Sequence, residues 1–209
     1  MNYIGDLSKY DYELLKDLSS NSTDILEFGV GASTQILRNF SKGNLTSIET
    51  SAFWIDATKE NLKYLNIEKT VNFLLYEDFN PKSGQYDLIF NDGVDSLRNE
   101  FAIKVWKTLK IGGIIAYHDT RRQKDIENVV ELVNNFKDEI ESISFNKDDS
   151  NITLIKKKIK NDVIFNDDID IQKILRESPY YDWNDAEEKI RLKYGISLNN
   201  GYDIPKHLQ

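Results

Sequence analysis

The stretch Glu27-Phe28-Gly29-Val30-Gly31-Ala32-Ser33-Thr34 decides how the chain reads. It follows a short apolar run, Asp24 to Phe28, and leads into residues 32–40, which have helical composition. Glycines between a strand and a helix let the backbone turn tightly and approach a ligand closely. The helix start behind them offers N–H groups with no partner of their own.

Working outward, the same strand-then-helix unit recurs. Leu45 to Glu49 reads as a second strand and residues 52–65 as a helix. Val71 to Tyr76 and Tyr86 to Phe90 read as the third and fourth strands. Leu97, Phe101, Val105, Trp106 and Leu109 mark a helix, then Lys110 to Gly113 a turn, then Ile114 to Tyr117 a fifth strand. Ile126, Val129, Val130, Val133 and Phe136 form another helical stripe, and Ile140 to Phe145 with Ile152 to Ile155 read as a hairpin. Ahead of the glycine turn, Leu7, Tyr10, Leu14, Leu15 and Leu18 mark an amphipathic helix over 7–19. Alternation of this kind predicts an α/β, doubly wound, mostly parallel seven-stranded sheet with an antiparallel C-terminal hairpin strand.

Composition bounds the rest. The chain has 209 residues, enough for one domain with an appendage. It has no cysteine, which excludes disulfides, thiolate metal sites and cysteine nucleophiles. Hydrophobic residues make up 40% and charged residues 30%, so the chain reads as globular. The start, Met1 to Asp6, is too polar for a signal peptide, and no apolar run is long enough for a membrane span. A cytoplasmic protein with no membrane partner is expected. The net charge of −8 argues against a general nucleic-acid binder. Composition shifts after Lys156-Lys157-Lys158, which divides the chain into a domain over 1–160 and an appendage over 161–209. The appendage is acidic and partly helical in pattern, yet it carries Phe165, Ile171, Tyr180, Tyr181 and Trp183. A disordered acidic tail lacks such residues, so it is expected to dock on the core or on a second subunit, making a homo-oligomer.

Glu49 lies twenty residues after Gly29, at the end of the second strand, where an acid accepts hydrogen bonds from both ribose hydroxyls of a nucleoside. Two ligand classes fit a glycine turn followed by such an acid. A dinucleotide site asks for G-x-G-x-x-G, but position 34 is Thr. An S-adenosylmethionine site asks for an acid two residues before the first glycine, as Glu27 is, because an acid helps hold the ligand's ammonium group.

At these positions the chain resembles the class I S-adenosylmethionine-dependent methyltransferases, over roughly residues 24–156. The stations are the ExGxGxS turn from Glu27 to Ser33, the strand-two acid Glu49, Glu77-Asp78-Phe79 after strand three, and Gly112-Gly113 before strand five. The resemblance implies S-adenosylmethionine as cofactor, held by Glu27, Gly29, Gly31, Ser33, Glu49, Thr50, Asp78, Phe79 and Asp92. Asp78 stands where the family sets an acid against the adenine amino group, and Thr50 stands at the adenine edge.

Ligands in a doubly wound sheet sit at the carboxyl ends of the strands. Strand four ends in Asn91-Asp92-Gly93-Val94-Asp95-Ser96 and strand five in Tyr117-His118-Asp119-Thr120. As neighbours ~4.8 Å apart, these ends crowd Asp92, His118 and Asp119 together. Two carboxylates so close call for a proton or a cation. The stretch Asp92-Gly93-x-x-Ser96 and the His118-Asp119 pair resemble bacterial O-methyltransferases of the macrocin O-methyltransferase type. That implies a small-molecule or sugar hydroxyl as acceptor and Asp92, His118 and Asp119 as catalytic residues. In related enzymes acids at these strand ends hold Mg²⁺, and Asp92 and Asp119 are the ligands here if such an ion is used. His118 stands where those enzymes usually carry an acid; it is a poor Mg²⁺ ligand and a natural general base near neutral pH. No [DN]PP[YF] stretch follows strand four, which argues against methylation of nucleobases. A catalytically silent S-adenosylmethionine-binding or partner-binding protein is the alternative, and an NAD-dependent enzyme a weaker one. Arg121 and Arg122 read as solvated residues before a helix, and Trp54, Trp106 and Trp183 as packing residues.

Overall fold

A computed structural model describes residues 7–145 and 150–158. The 161–209 appendage, with its expected docking, oligomer contact and Trp183, lies outside the described residues, as does the tip of the hairpin. Helix α1 (Lys9–Ser20) is set by a reciprocal cap. The Ser8 hydroxyl accepts from the Asp11 N–H, and the Asp11 carboxylate accepts from the Ser8 N–H. The strands are β1 (Asp24–Phe28), β2 (Asn44–Glu49), β3 (Asn72–Leu75), β4 (Tyr86–Asn91), β5 (Leu109–Tyr117), β6 (Ile140–Phe145) and β7 (Thr153–Lys157). Helices α2 (Ala32–Phe40), α3 (Ala52–Tyr64), α4 (Arg98–Val105) and α5 (Gln123–Phe136) alternate with them.

The sheet order is β3-β2-β1-β4-β5-β7-β6. All pairings among β1 to β5 are parallel, and β7 inserts antiparallel between β5 and β6. The chain reverses direction of growth at β1, so the outer ends of β1 and β4 form the crevice where such sheets take ligands. Period-two alternation splits the sheet residues between two cores. Leu26, Phe28, Ile89 and Tyr117 pack with α4 and α5 through Phe101, Val105, Ile126 and Val130. Ile25, Leu88, Phe90 and Ala116 pack on the other face with α1 and α2 through Leu14, Leu18, Ile36 and Leu37. Helices therefore cover both faces, and the class expected from the sequence is the class observed.

Two local readings differ. Lys110 to Gly113 is not a turn before β5 but part of it: two steps along β4, Tyr86 to Leu88, are matched by five along β5, Leu109 to Ile114. The extra residues bulge, with Gly112 at φ +76°, so a glycine pair that resembles a turn serves a kinked strand. Trp106 is buried as expected, but Trp54 is exposed and pairs with exposed Phe53, their ring centroids 5.3 Å apart.

The ends of β1 and β4 meet closely. The Asp92 N–H donates to the Phe28 carbonyl at 2.8 Å. Gly29 has φ +91°, and a Cβ there would lie 2.6 Å from the Asp92 carbonyl carbon. A Cβ on Gly93 would run into the Phe28 ring. Gly29→Ala combines a left-handed backbone, costing about 1–3 kcal/mol, with overlap against backbone that cannot swing aside. Urea denaturation should show a lowered midpoint at unchanged m-value, the product of shift and m-value reaching at least that free energy; a wild-type midpoint contradicts this packing.

Candidate functional site

The turn after β1 is organised by two acids. Glu27 and Ser47 are register partners on β1 and β2, so their side chains share a face. Glu27 is fully buried and accepts three hydroxyl hydrogen bonds: Ser33 at 2.6 Å, Thr34 at 2.8 Å and Ser47 at 2.6 Å. Burial pushes its carboxyl up to about 7, outweighing those three donors. Thr34 also accepts from the Gly31 N–H at 2.9 Å, so the residue in place of a third glycine ties the turn to the acid. Glu49, at the end of β2, accepts from the Val30 N–H at 3.2 Å, from the Thr50 N–H at 2.6 Å and hydroxyl at 2.9 Å, and from the Ser51 N–H at 3.1 Å. One carboxylate thus links the turn after β1 to the start of α3. At Gly31 a Cβ would meet nothing within 4 Å: the space in front of the turn is open.

Asp78 is exposed beyond β3, whereas Phe79 is buried and its ring lies 6.1 Å from Phe101. The Phe79 side chain is therefore a core element. Thr50 is exposed beside Glu49, and Ser33 is buried on Glu27.

The ends of β4 and β5 bring Asp92, His118 and Asp119 together, with ligand-type atoms all within 4.8 Å of one another. The register Asn91↔Tyr117 sets them side by side. His118 Nδ1 lies 3.2 Å from Asp92 Oδ1 and 3.5 Å from Asp119 Oδ1, and its Nε2 lies 3.7 Å from Asp11 Oδ2. Asp11 reaches this point from the first turn of α1 and also accepts from the Asn151 N–H at 2.8 Å. Burial disfavours the imidazolium, but the facing carboxylates of Asp11, Asp92 and Asp119 outweigh it, raising the pKa to about 10. Asp119 sits at φ +60°, a left-handed conformation that Asp tolerates, and accepts from Asn151 Nδ2 at 2.9 Å.

Sequence reading missed the centre of this cluster. Arg98, the first residue of α4, is buried and spreads its guanidinium over three elements. Its Nε donates to the Gly93 carbonyl at 2.6 Å, its Nη2 to Asp92 Oδ1 at 2.8 Å and its Nη1 to Asp125 Oδ1 at 2.7 Å. Nη1 also lies 3.6 Å from Asp119 Oδ2. Arg122, read as solvated, instead pairs with Asp119 and with Asp125 at 2.6 Å. Lys124 pairs with Asp95, whose carboxyl it holds below the ordinary value.

The acids that suggested a divalent ion are already paired with arginine, Asp92 with Arg98 and Asp119 with Arg98 and Arg122. Imidazole nitrogen is a poor ligand for Mg²⁺, which prefers oxygen at 2.0–2.1 Å in octahedral geometry. As arranged, Asp92, His118 and Asp119 do not fit Mg²⁺. The opposite rim of the sheet carries a pocket of about 720 Å³, lined by Arg38, Lys42, Lys69, Asn72 and Tyr86 among others. It contains none of the sequence-selected residues. Arg38 and Lys69 are occupied there by backbone carbonyls, with both reaching Ser41 at the end of α2.

No family model matches the chain, and no curated protein matches it by sequence. Solved structures do. An O-methyltransferase from Bacillus cereus in complex with SAH matches at 17% identity and a TM-score of 0.60, over 74% of this chain and 84% of that one. An O-methyltransferase from Streptomyces achromogenes involved in tomaymycin synthesis, in complex with SAM, matches at 15% identity and a TM-score of 0.58, over 73% and 82%. A tRNA (m1A58) methyltransferase from Aquifex aeolicus matches at 16% identity and a TM-score of 0.56, over 77% and 73%. The chain has the class I methyltransferase-like fold. Among the described residues no helix is long and apolar enough to cross a membrane.

The charged state of His118 is open to direct measurement. Its pKa is raised from 6.5 to about 10, so its contribution to stability is fully present below pH 6.5 and is lost as pH rises towards 10. Ring NMR signals assigned with His118→Asn should report imidazolium at pH 8, and wild-type stability should fall across that window while the variant's stays flatter. A His118 that titrates near its ordinary value contradicts the cluster.

Proposed function

We propose that the chain is an S-adenosylmethionine-dependent methyltransferase that methylates a hydroxyl of a small molecule or sugar. The observation that carries this is the pairing of an open glycine turn at Gly31 with Glu49 at the end of β2, beside the Asp92 strand end, on the class I methyltransferase-like fold. The cofactor's ribose is assigned to Glu49, its adenine to the neighbourhood of Thr50 and Asp78, and its amino acid portion to the Gly29–Gly31 turn backed by Glu27 and Ser33. When bound, S-adenosylmethionine supplies a methyl group on a sulfonium; transfer forms an oxygen–carbon bond, breaks the sulfur–carbon bond and releases the hydroxyl proton.

The protein's own task is to orient the acceptor and take up that proton. Asp92 is the residue for it. Its Oδ1 is held by Arg98 and His118, while no partner of Oδ2 is found among the described residues. The acceptor hydroxyl donates to that oxygen and passes its proton there. His118, expected from sequence as the general base, is proposed instead as a fixed positive charge at neutral pH, given its pKa of about 10. Asp119 anchors the cluster through Arg122 and Asn151.

The small-molecule acceptor is supported by the presence of O-methyltransferases among the neighbours and by the chain's net charge of −8. The tRNA methyltransferase neighbour matches at similar identity, so the choice against a polyanionic acceptor rests on the acidic balance. One observation favours the silent, binding-only alternative: the strand-end acids are largely consumed by internal cations. An NAD site is disfavoured because Thr34, where a third glycine belongs, is committed to Glu27 and to the turn.

Calorimetry with S-adenosylhomocysteine and NAD separates these readings. S-adenosylhomocysteine should bind and NAD should not. Glu49→Ala should weaken binding by about 1.5–3 kcal/mol, since a charged acceptor of hydrogen bonds is lost. Gly31→Ala should abolish binding while losing far less stability than Gly29→Ala, because its Cβ enters ligand space and not protein. Unchanged affinity in both variants removes the assignment.

A further inference from the structure

We propose that Arg98 takes the place of a divalent cation in the acceptor site, so that the site works without metal on an acceptor that presents a single hydroxyl. This rests on the methyltransferase reading for the word acceptor; the claim about the cation stands on the geometry alone. Asp92 and Asp119 leave neighbouring strands, and Asp125 comes from the helix that follows. Carboxylates converging in this way, one of them almost wholly buried, call for a shared proton or a cation, and here a cation is present. The Arg98 guanidinium meets all three, at 2.8 Å for Asp92, 3.6 Å for Asp119 and 2.7 Å for Asp125. Its remaining nitrogen is fixed on the Gly93 carbonyl. A guanidinium has no acceptor lone pair, does not deprotonate in a protein and cannot dissociate from the chain.

Two consequences separate this arrangement from a metal site. The first concerns geometry. A bound metal accepts lone pairs from the acceptor, and two adjacent hydroxyls chelate it. Here the group facing the acceptor is the carboxylate Asp92, whose Oδ2 needs a donor. One hydroxyl satisfies it, and a vicinal diol gains nothing from its second oxygen. The second concerns charge. Arg98 and His118 both lie on Asp92 Oδ1, which fixes the carboxylate plane without occupying its other oxygen. Arg98 itself is a positioning residue: it acts through Asp92.

The test uses the full chain and Mn²⁺ as the probe, read by the electron paramagnetic resonance of free ion. Wild type should bind no stoichiometric Mn²⁺ that Asp92→Asn removes, and methyl transfer, once an acceptor is in hand, should survive chelator. Arg98→Ala should gain one Mn²⁺ site, lost again when Asp92→Asn is added, and should lose transfer by roughly 10²-fold from misplacement of the acceptor. Arg98→Lys keeps a cation and should gain no Mn²⁺ site. A merely structural arginine would not create a metal site on removal. Stoichiometric Mn²⁺ on wild type that depends on Asp92 overturns the proposal, and so does folded Arg98→Ala that gains none. If Arg98→Ala does not fold, the wild-type and Asp92→Asn titrations decide alone. S-adenosylhomocysteine affinity is measured on the same samples: its absence in wild type removes the methyltransferase reading and leaves the cation result standing.

Discussion

Everything at the ligand-facing rim depends on how closely β1 and β4 approach at their carboxyl ends. Hydrogen bonding of the Asp92 N–H to the Phe28 carbonyl draws the two exits together, and only glycine fits on either side. Gly29 turns with a positive φ against the Asp92 backbone, and Gly93 lies over the Phe28 ring. Phe28 in turn stacks on Phe101 at 4.5 Å, which joins the crevice to the α4 side of the core. The consequence is functional. The turn with open space before Gly31 and the strand end that carries Asp92 belong to one junction, and movement of either strand disturbs both.

A second layer is electrostatic. Asp11, Asp92, Asp95, Asp119 and Asp125 surround Arg98, Arg122, Lys124 and His118. Buried charge is tolerable only when each member is partnered, and here the partners come from α1, α4, α5 and two strand ends. Asp11 shows how far this reaches. Burial alone raises its carboxyl, yet the facing His118 and hydrogen bonds from Asn151 and Ser8 bring it below its ordinary value. The N-terminal helix is thereby tied to the end of β5 through the same imidazolium that flanks Asp92.

The order of strands and helices was legible because apolar runs end at polar or glycine punctuation, as at Phe28-Gly29 and Glu49-Thr50. The start of β5 was not, since Lys110 to Gly113 carries turn composition and its bulge is imposed by pairing with β4. Insertion of β7 between β5 and β6 is a choice of the sheet edge, invisible in a hairpin's local pattern. In the site, crowding of Asp92, His118 and Asp119 followed from adjacent strand ends. Arg98 was hidden because a single arginine at a helix start resembles a solvated residue; its partners lie at positions 92, 119 and 125 and are joined only by folding. Ser47 escaped for the same reason: it meets Glu27 through strand register, twenty positions away. The burial of the Phe79 ring was not legible either, because its neighbours in sequence are exposed.

The most direct measurement is a crystal structure of the full chain grown with S-adenosylhomocysteine. The ligand should lie at the carboxyl ends of β1, β2 and β4, with ribose hydroxyls on Glu49, the methionine portion against the Gly29–Gly31 turn and sulfur towards the Asp92 strand end, and with Arg98 still on Asp92. Ligand density in the pocket at the opposite rim, or a crevice blocked at Gly31, would contradict it.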